Sequence, residues 1–237
     1  MFFKYLVDLY SAVYNIQTMT TKALVLLSGG QDSTTCLAQA LHDFPGEVAG
    51  VVFDYGQRHK IELQQAEIIA KQANIELQTV HLPFISELTS NALTRSDIAI
   101  ESKDGELPST FVDGRNLFFL SIAAVIAKQK GCHILYTGVC ETDFSGYPDC
   151  RNEFIKSLEK TLHLATDYHF EIRTPLMYLS KSDTVLLMQK LKRLDWYKDT
   201  HTCYEGMRPA CGICPACVLR LKGFEEASIE DPLDYAL

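Results

Sequence analysis

The chain has 237 residues, 47% of them hydrophobic and 22% charged, with a formal charge of −8 from 22 basic and 30 acidic side chains. That length suits one α/β domain with a small appendage, and the composition excludes a disordered or fibrous protein. The acidic balance argues against a nucleic-acid partner and for a small substrate.

Residues 1–21 read as an N-terminal extension. The run Phe2 to Tyr10 is apolar but broken by Lys4 and Asp8. It lacks the uninterrupted core and cleavage site of a signal peptide and is too short and charged to span a bilayer. No membrane attachment is expected, and the location is expected to be cytoplasmic. Met19 lies four residues before the first strand, so residues 1–18 are expected to be dispensable. Eight cysteines without a secretory signal point to metal or free thiols, not disulfides.

Ala23-Leu24-Val25-Leu26-Leu27 reads as a fully buried strand, and Cys36 to Leu41 as a helix. Between them stands Ser28-Gly29-Gly30-Gln31-Asp32-Ser33-Thr34-Thr35. A strand, two glycines and hydroxyl residues opening a helix make a phosphate cradle. The glycines allow close backbone approach, and the free N–H groups of the first helical turn face the anion along the helix dipole. Asp32 is placed to hold a magnesium ion bridging phosphates. The plainer alternative is a glycine turn capped by Asp32 or Ser33. The letters exclude a Walker loop and a dinucleotide fingerprint, since neither Gly-Lys-Ser/Thr nor Gly-x-Gly-x-x-Gly is present.

Glu47 to Phe53 is a second strand, followed by Asp54-Tyr55-Gly56-Gln57-Arg58-His59 and a helix over 57–73 with Ile61, Ala66, Ile69 and Ala70 inward. A third strand covers 75–82. Residues 89–110 lack periodicity and read as a long loop covering an active site. Asp113-Gly114-Arg115-Asn116 opens a helix over 116–127, and 133–137 is the fourth strand. The loop from Gly138 to Arg151 leads to a helix over 151–164 and a fifth strand over 169–173. Ser180 opens a helix running to Leu194, and from Trp196 the pattern dissolves into turns and cysteines. This alternation predicts a doubly wound, mostly parallel five-stranded sheet over 22–195, with a small C-terminal region over 196–237. The motifs fall at the C-terminal ends of strands, where such sheets bind ligands.

Cys203, Cys211, Cys214 and Cys217 form Cys-x7-Cys-x2-Cys-x2-Cys. Short Cys-x2-Cys steps fold back to place thiolates on one metal, and four sulfurs with no open position describe one structural zinc ion. An iron–sulfur cluster is the competing reading. His201 is expected to face solvent, and Cys36 and Cys132 to be small buried hydrophobes. Cys140 and Cys150 flank the expected substrate loop.

The run from Ser28 to Thr35 resembles the pyrophosphate loop of the N-type ATP pyrophosphatases, the PP-loop superfamily. The whole order of motifs, adding Glu141-Thr142-Asp143-Phe144-Ser145-Gly146-Tyr147-Pro148-Asp149-Cys150-Arg151 and Thr174-Pro175-Leu176-Met177, is similar to the 7-cyano-7-deazaguanine synthase family over about residues 22–225. That resemblance implies an adenine nucleotide alpha hydrolase-like fold. It also implies a ligase that converts 7-carboxy-7-deazaguanine, ammonia and ATP, with magnesium, into the nitrile precursor of queuosine. It places ATP on Leu27, Ser28, Gly29, Gly30, Gln31, Asp32, Ser33, Thr34, Thr35, Cys36 and Leu37. Asp32, Arg115, Lys181 and Asp143 are the expected catalytic residues, Lys181 and Arg115 neutralising charge at phosphorus. Phe144 and Tyr147 are expected to stack on the deazaguanine, Asp143 or Asp149 to accept its N1–H and amine, and Arg58 to contact substrate. The family also implies a homodimer; it does not fix the ammonia source, for which free ammonium is the simplest supply, since no glutaminase domain is seen attached. It usually carries proline where Asp113 stands, so that turn is expected to be looser. The rivals are a superfamily enzyme adenylating a tRNA base, which needs a tRNA surface, and a zinc-ribbon interaction module on a degenerate nucleotide fold.

Overall fold

The computed structural model describes residues 21–95, 97–101, 107–142 and 146–236. All but the last residue of the expected N-terminal extension lies outside them, as do Asp143 and Phe144. Five strands, β1 (Ala23–Leu26), β2 (Val48–Asp54), β3 (Leu77–His81), β4 (Ile134–Tyr136) and β5 (Glu171–Arg173), form one sheet in the order β3-β2-β1-β4-β5. Every pairing is parallel, with Val25 opposite both Gly50 and Tyr136. The helices are α1 (Gln31–Asp43), α2 (Ile61–Ala73), α3 (Phe84–Leu88), α4 (Arg115–Gln129), α5 (Asn152–Thr166), α6 (Lys181–Lys190) and α7 (Pro215–Glu226).

Alternation along β1 divides the core. Leu24 points to one face, where it joins Leu120 and Ala123 of α4 and Ile155 and Leu158 of α5. Ala23 and Val25 point to the other, among Leu37 and Ala40 of α1, Ala66 and Ile69 of α2 and Val185 and Met188 of α6. Because both faces are covered, the central strands read as unbroken apolar runs. Each fully buried Leu or Ile here contributes about 1.5–3 kcal/mol. Among the described residues no helix is long and apolar enough to cross a membrane.

Two helix boundaries depart most from the sequence reading. Helix α2 starts at Ile61, not at Gln57, because the Gln57 side chain closes a turn instead. Its Oε1 accepts from the Tyr55 N–H at 2.9 Å and its Nε2 donates to the Phe53 carbonyl at 3.2 Å. Helix α6 ends at Lys190, since Lys192 takes a left-handed φ of 59°, and a 3-10 helix, Leu194–Asp199, follows. The chain past Trp196 is more ordered than its turn-rich letters suggest. Trp196, Tyr197 and Phe224 lie in the second core, and α7 packs against α6. Pro215 sits at the first turn of α7, where its missing N–H costs nothing. Gly223 marks close approach, since a Cβ there would lie 2.6 Å from the Lys181 Cβ.

Candidate active site

The sheet order reverses beside β1, whose neighbours are β2 and β4. The loops leaving β1 and β4 therefore diverge and leave a crevice at the sheet's C-terminal edge. A cavity of about 360 Å³ opens there. Its wall includes Leu27, Ser28, Gly30, Gln31, Asp32 and Ser33 from the first loop and Thr137, Gly138, Val139 and Cys140 from the second. The two loops pack closely, a Cβ on Gly138 falling 3.2 Å from the Ser33 nitrogen.

Gly30 is the N-cap of α1, and no side chain caps it. Ser33 and Thr34 instead donate their hydroxyls back to the Gly30 carbonyl, at 3.1 and 2.8 Å, and the Ser28 N–H donates to the Ser33 Oγ at 3.1 Å. The hydroxyls thus brace the turn while the uncapped end of the helix faces the cavity, an arrangement suited to an anion. Gly29 has φ +79°, and a Cβ there would overlap the Glu62 carbonyl oxygen and approach the Ala66 nitrogen to 2.7 Å. Only glycine fits.

Positive charge enters from two helix starts. Ser180 caps α6 through a reciprocal box with Asp183, which fixes Lys181 so that its Nζ meets both Asp32 carboxylate oxygens, at 2.9 and 2.7 Å. Arg115 begins α4 after Gly114, whose φ of 67° makes the turn. Its Nη1 lies 3.4 Å from the Tyr55 hydroxyl. Glu62, in the first turn of α2, shares this wall. Burial pushes its carboxyl up to about 7, with Arg115 pulling the other way. Burial likewise raises the Tyr55 and Tyr204 hydroxyls.

Beside the crevice, the sulfurs of Cys203, Cys211, Cys214 and Cys217 lie within 4.8 Å of one another, all four residues buried. The Cys211 N–H donates to Cys203 Sγ at 3.4 Å and the Cys214 N–H to Cys211 Sγ at 3.3 Å. Four converging sulfurs with backbone N–H donors turned toward them suit a single tetrahedral ion, for which Zn–S bonds of about 2.3 Å imply sulfurs about 3.8 Å apart.

The model of the queuosine biosynthesis protein QueC matches residues 22–228. The chain belongs to the QueC family. It is 54% identical over 207 residues to the 7-cyano-7-deazaguanine synthase of Bacillus subtilis (strain 168), covering 86% of this chain and 94% of that protein. Among solved structures, it is similar to a predicted subunit of tRNA methyltransferase from Methanocaldococcus jannaschii, with 18% identity, a TM-score of 0.47 and coverage of 71% and 74% of the two chains. An NH3-dependent NAD synthetase from Campylobacter jejuni gives 15% identity, a TM-score of 0.44 and coverage of 72% and 64%.

The residues singled out in this QueC-family sequence fall into three groups. Leu27 to Ser33, Arg115, Tyr147 and Lys181 converge on the cavity or its immediate rim. Thr34, Thr35, Cys36 and Leu37 turn into the core and support the loop from behind; Thr35 meets the Tyr197 hydroxyl at 2.6 Å. Asp149 is buried and directed at α4, its Oδ2 accepting from the Asn116 N–H at 2.9 Å. Arg58 is tied by its backbone N–H to the Leu93 carbonyl at 2.7 Å, and its side chain is not part of the cavity wall. Tyr147 stacks on Phe111, centroids 5.2 Å apart, and shares a 2.8 Å hydrogen bond with Thr110.

His201 departs from expectation. It is buried rather than solvent-facing, because its backbone N–H donates to the Gly29 carbonyl at 2.8 Å and pulls the segment before the cysteines over the phosphate loop. Glu62, Tyr204 and Arg220 also line the cavity and escaped the sequence reading. Of these, Glu62 left a signal: it stands one helical turn before Ala66, on the inward stripe that Ile69 and Ala70 continue.

Proposed function

We propose that this chain is a carbon–nitrogen ligase that converts 7-carboxy-7-deazaguanine and ammonia into 7-cyano-7-deazaguanine at the expense of ATP, for queuosine biosynthesis. The observation that carries this reading is the uncapped Gly-Gly phosphate cradle at the switch point of a chain 54% identical to a synthase of that name. The chemical problem is a poor leaving group. A carboxylate oxygen attacks the α-phosphorus of ATP, releasing pyrophosphate and leaving an acyl adenylate. Ammonia displaces AMP to give the amide. The amide oxygen is adenylated in turn, and loss of AMP with the nitrogen's protons leaves the nitrile.

In this reading the first-turn N–H groups of α1, with Ser28 and Ser33, hold the pyrophosphate. Lys181 and Arg115 offset charge that builds at phosphorus. Asp32 would hold magnesium, which supplies further charge neutralisation at the phosphates. Asp143, Phe144 and Tyr147 bind the deazaguanine, while Asp149 positions the start of α4. The four cysteines hold one structural zinc ion. The protein works in the cytoplasm as a homodimer on small molecules, and residues 1–18 are dispensable.

The test is to incubate purified protein with 7-carboxy-7-deazaguanine, ammonium, magnesium and ATP, following amide and nitrile by mass spectrometry. AMP and pyrophosphate are the expected nucleotide products, with oxygen-18 passing from the labelled acid into AMP. Release of ADP, or AMP free of label, would overturn the proposal.

A further inference from the structure

Ammonium, like a lysine side chain, keeps its proton at neutral pH, and the protonated form has no lone pair with which to attack an acyl adenylate. An enzyme using free ammonium therefore needs a group near the phosphate loop that accepts a proton. Asp32 is engaged by Lys181 and Asp149 by the α4 backbone. Glu62 differs from both. Glu62 lines the cavity, its carboxyl feels the charge of Arg115, and among the described residues no hydrogen bond or ion pair engages it. Its main chain is pressed against Gly29 of the phosphate loop, so the side chain stands at a fixed place beside the nucleotide site.

Resting on the ligase reading above, we propose that Glu62 is the base that takes a proton from ammonium as ammonia attacks the adenylated acid. The Glu62 carboxylate accepts one proton from ammonium. The freed nitrogen lone pair forms the C–N bond, the C–O bond to AMP breaks with its electron pair leaving on the phosphate, and the nitrogen sheds its extra proton to the departing phosphate or to water. The groups facing Glu62 are consistent with this role. Tyr55 after β2, Arg115 on α4 and Tyr204 near the cysteines interact with it electrostatically, and Tyr147 from the loop after β4 lines the same cavity. Arg115 is the cation among them, and it keeps the carboxylate from becoming a permanent acid. A carboxyl shifted toward neutrality is matched to proton transfer at working pH.

The test uses full-length, metal-loaded protein and Glu62→Gln, with two readouts at saturating 7-carboxy-7-deazaguanine. The first is exchange of labelled pyrophosphate into ATP, which reports adenylation alone. The second is amide formation against ammonium chloride concentration from about pH 6 to pH 9. Glu62→Gln is expected to keep exchange and to lose ~10²-fold in amide formation near neutral pH, with recovery toward alkaline pH as free ammonia rises. Glu62→Asp is expected to restore part of the neutral-pH rate. Wild-type amide formation by Glu62→Gln at pH 7 would overturn the proposal. So would loss of exchange in a variant that melts no lower than wild type, or loss of amide formation without alkaline recovery; either outcome makes Glu62 something other than the base. Failure of wild-type protein to show acid-dependent exchange would instead sink the ligase reading.

Discussion

The Lys181 ammonium donates to both carboxylate oxygens of Asp32, at 2.9 and 2.7 Å, and so joins the start of α6 to the first turn of α1. The two residues are far apart in the chain, yet the contact puts a cation where phosphate charge would gather. Lys181→Ala is expected to lower AMP production by ~10²–10³-fold, as removal of a preorganised charge donor does. The pair is partly open to solvent, with Asp32 30% exposed, so stability should change by only about 1 kcal/mol or less. Rate assays alongside thermal melts separate the two effects. A melt lowered as severely as the rate would make the pair structural.

Adjacent glycines in the phosphate loop should respond differently. Gly29→Ala places a methyl group against the Glu62 carbonyl in a left-handed conformation, costing about 2 kcal/mol or more. The melting midpoint should fall by about 4–8 °C, and nucleotide binding should be lost. Gly30 has φ −85°, and a Cβ there meets nothing nearer than 3.4 Å. Gly30→Ala should therefore melt close to wild type. Calorimetry on both variants checks the contrast.

Metal analysis should find one zinc ion per chain, bound by Cys203, Cys211, Cys214 and Cys217. Cys214→Ser, or prolonged chelation, should remove it and destabilise the protein by several kcal/mol. Activity should fall with it, because Arg220 of α7 and Tyr204 line the cavity next to the cysteine segment. A brown, iron-bearing protein with visible absorption would replace zinc with a cluster.

The raised carboxyl of Glu62 has a stability signature separate from catalysis. Its folded pKa, about 7, lies above the ordinary value of 4.5. Between those values the folded state binds more protons than the unfolded, so this group makes stability decrease as pH rises from about 4.5 through 7. Above that range the native protein carries an unfavourably desolvated charge. Glu62→Gln should therefore melt higher than wild type at about pH 8, with the advantage disappearing by about pH 4. Equal melting at both ends would place Glu62 in a solvated environment.

Much of this protein can be read along the chain because the relevant signals are local. Unbroken apolar runs mark strands covered on both faces, as Ala23 to Leu26 and Val48 to Phe53 proved to be. The phosphate loop needs only a strand, two glycines and a helix start, and the cysteine cluster announces itself by spacing. Local signals also misled, where a side chain chose a different partner. Gln57 folded back onto Phe53 and Tyr55 instead of opening a helix, and the turn-rich letters past Trp196 hid α7, which Pro215 opens at its first turn.

What no linear pattern conveys is which distant groups meet. Glu62 gains its place only from tertiary structure, where α2 presses against Gly29 and Arg115 and Tyr204 arrive from other segments. His201 seemed a polar residue beside a metal site until its N–H was found on the Gly29 carbonyl. Such encounters depend on how helices settle onto the two faces of the sheet and on the reversal of strand order beside β1. Burial and charge at a position arise from that packing, and so does the chemistry the position can perform.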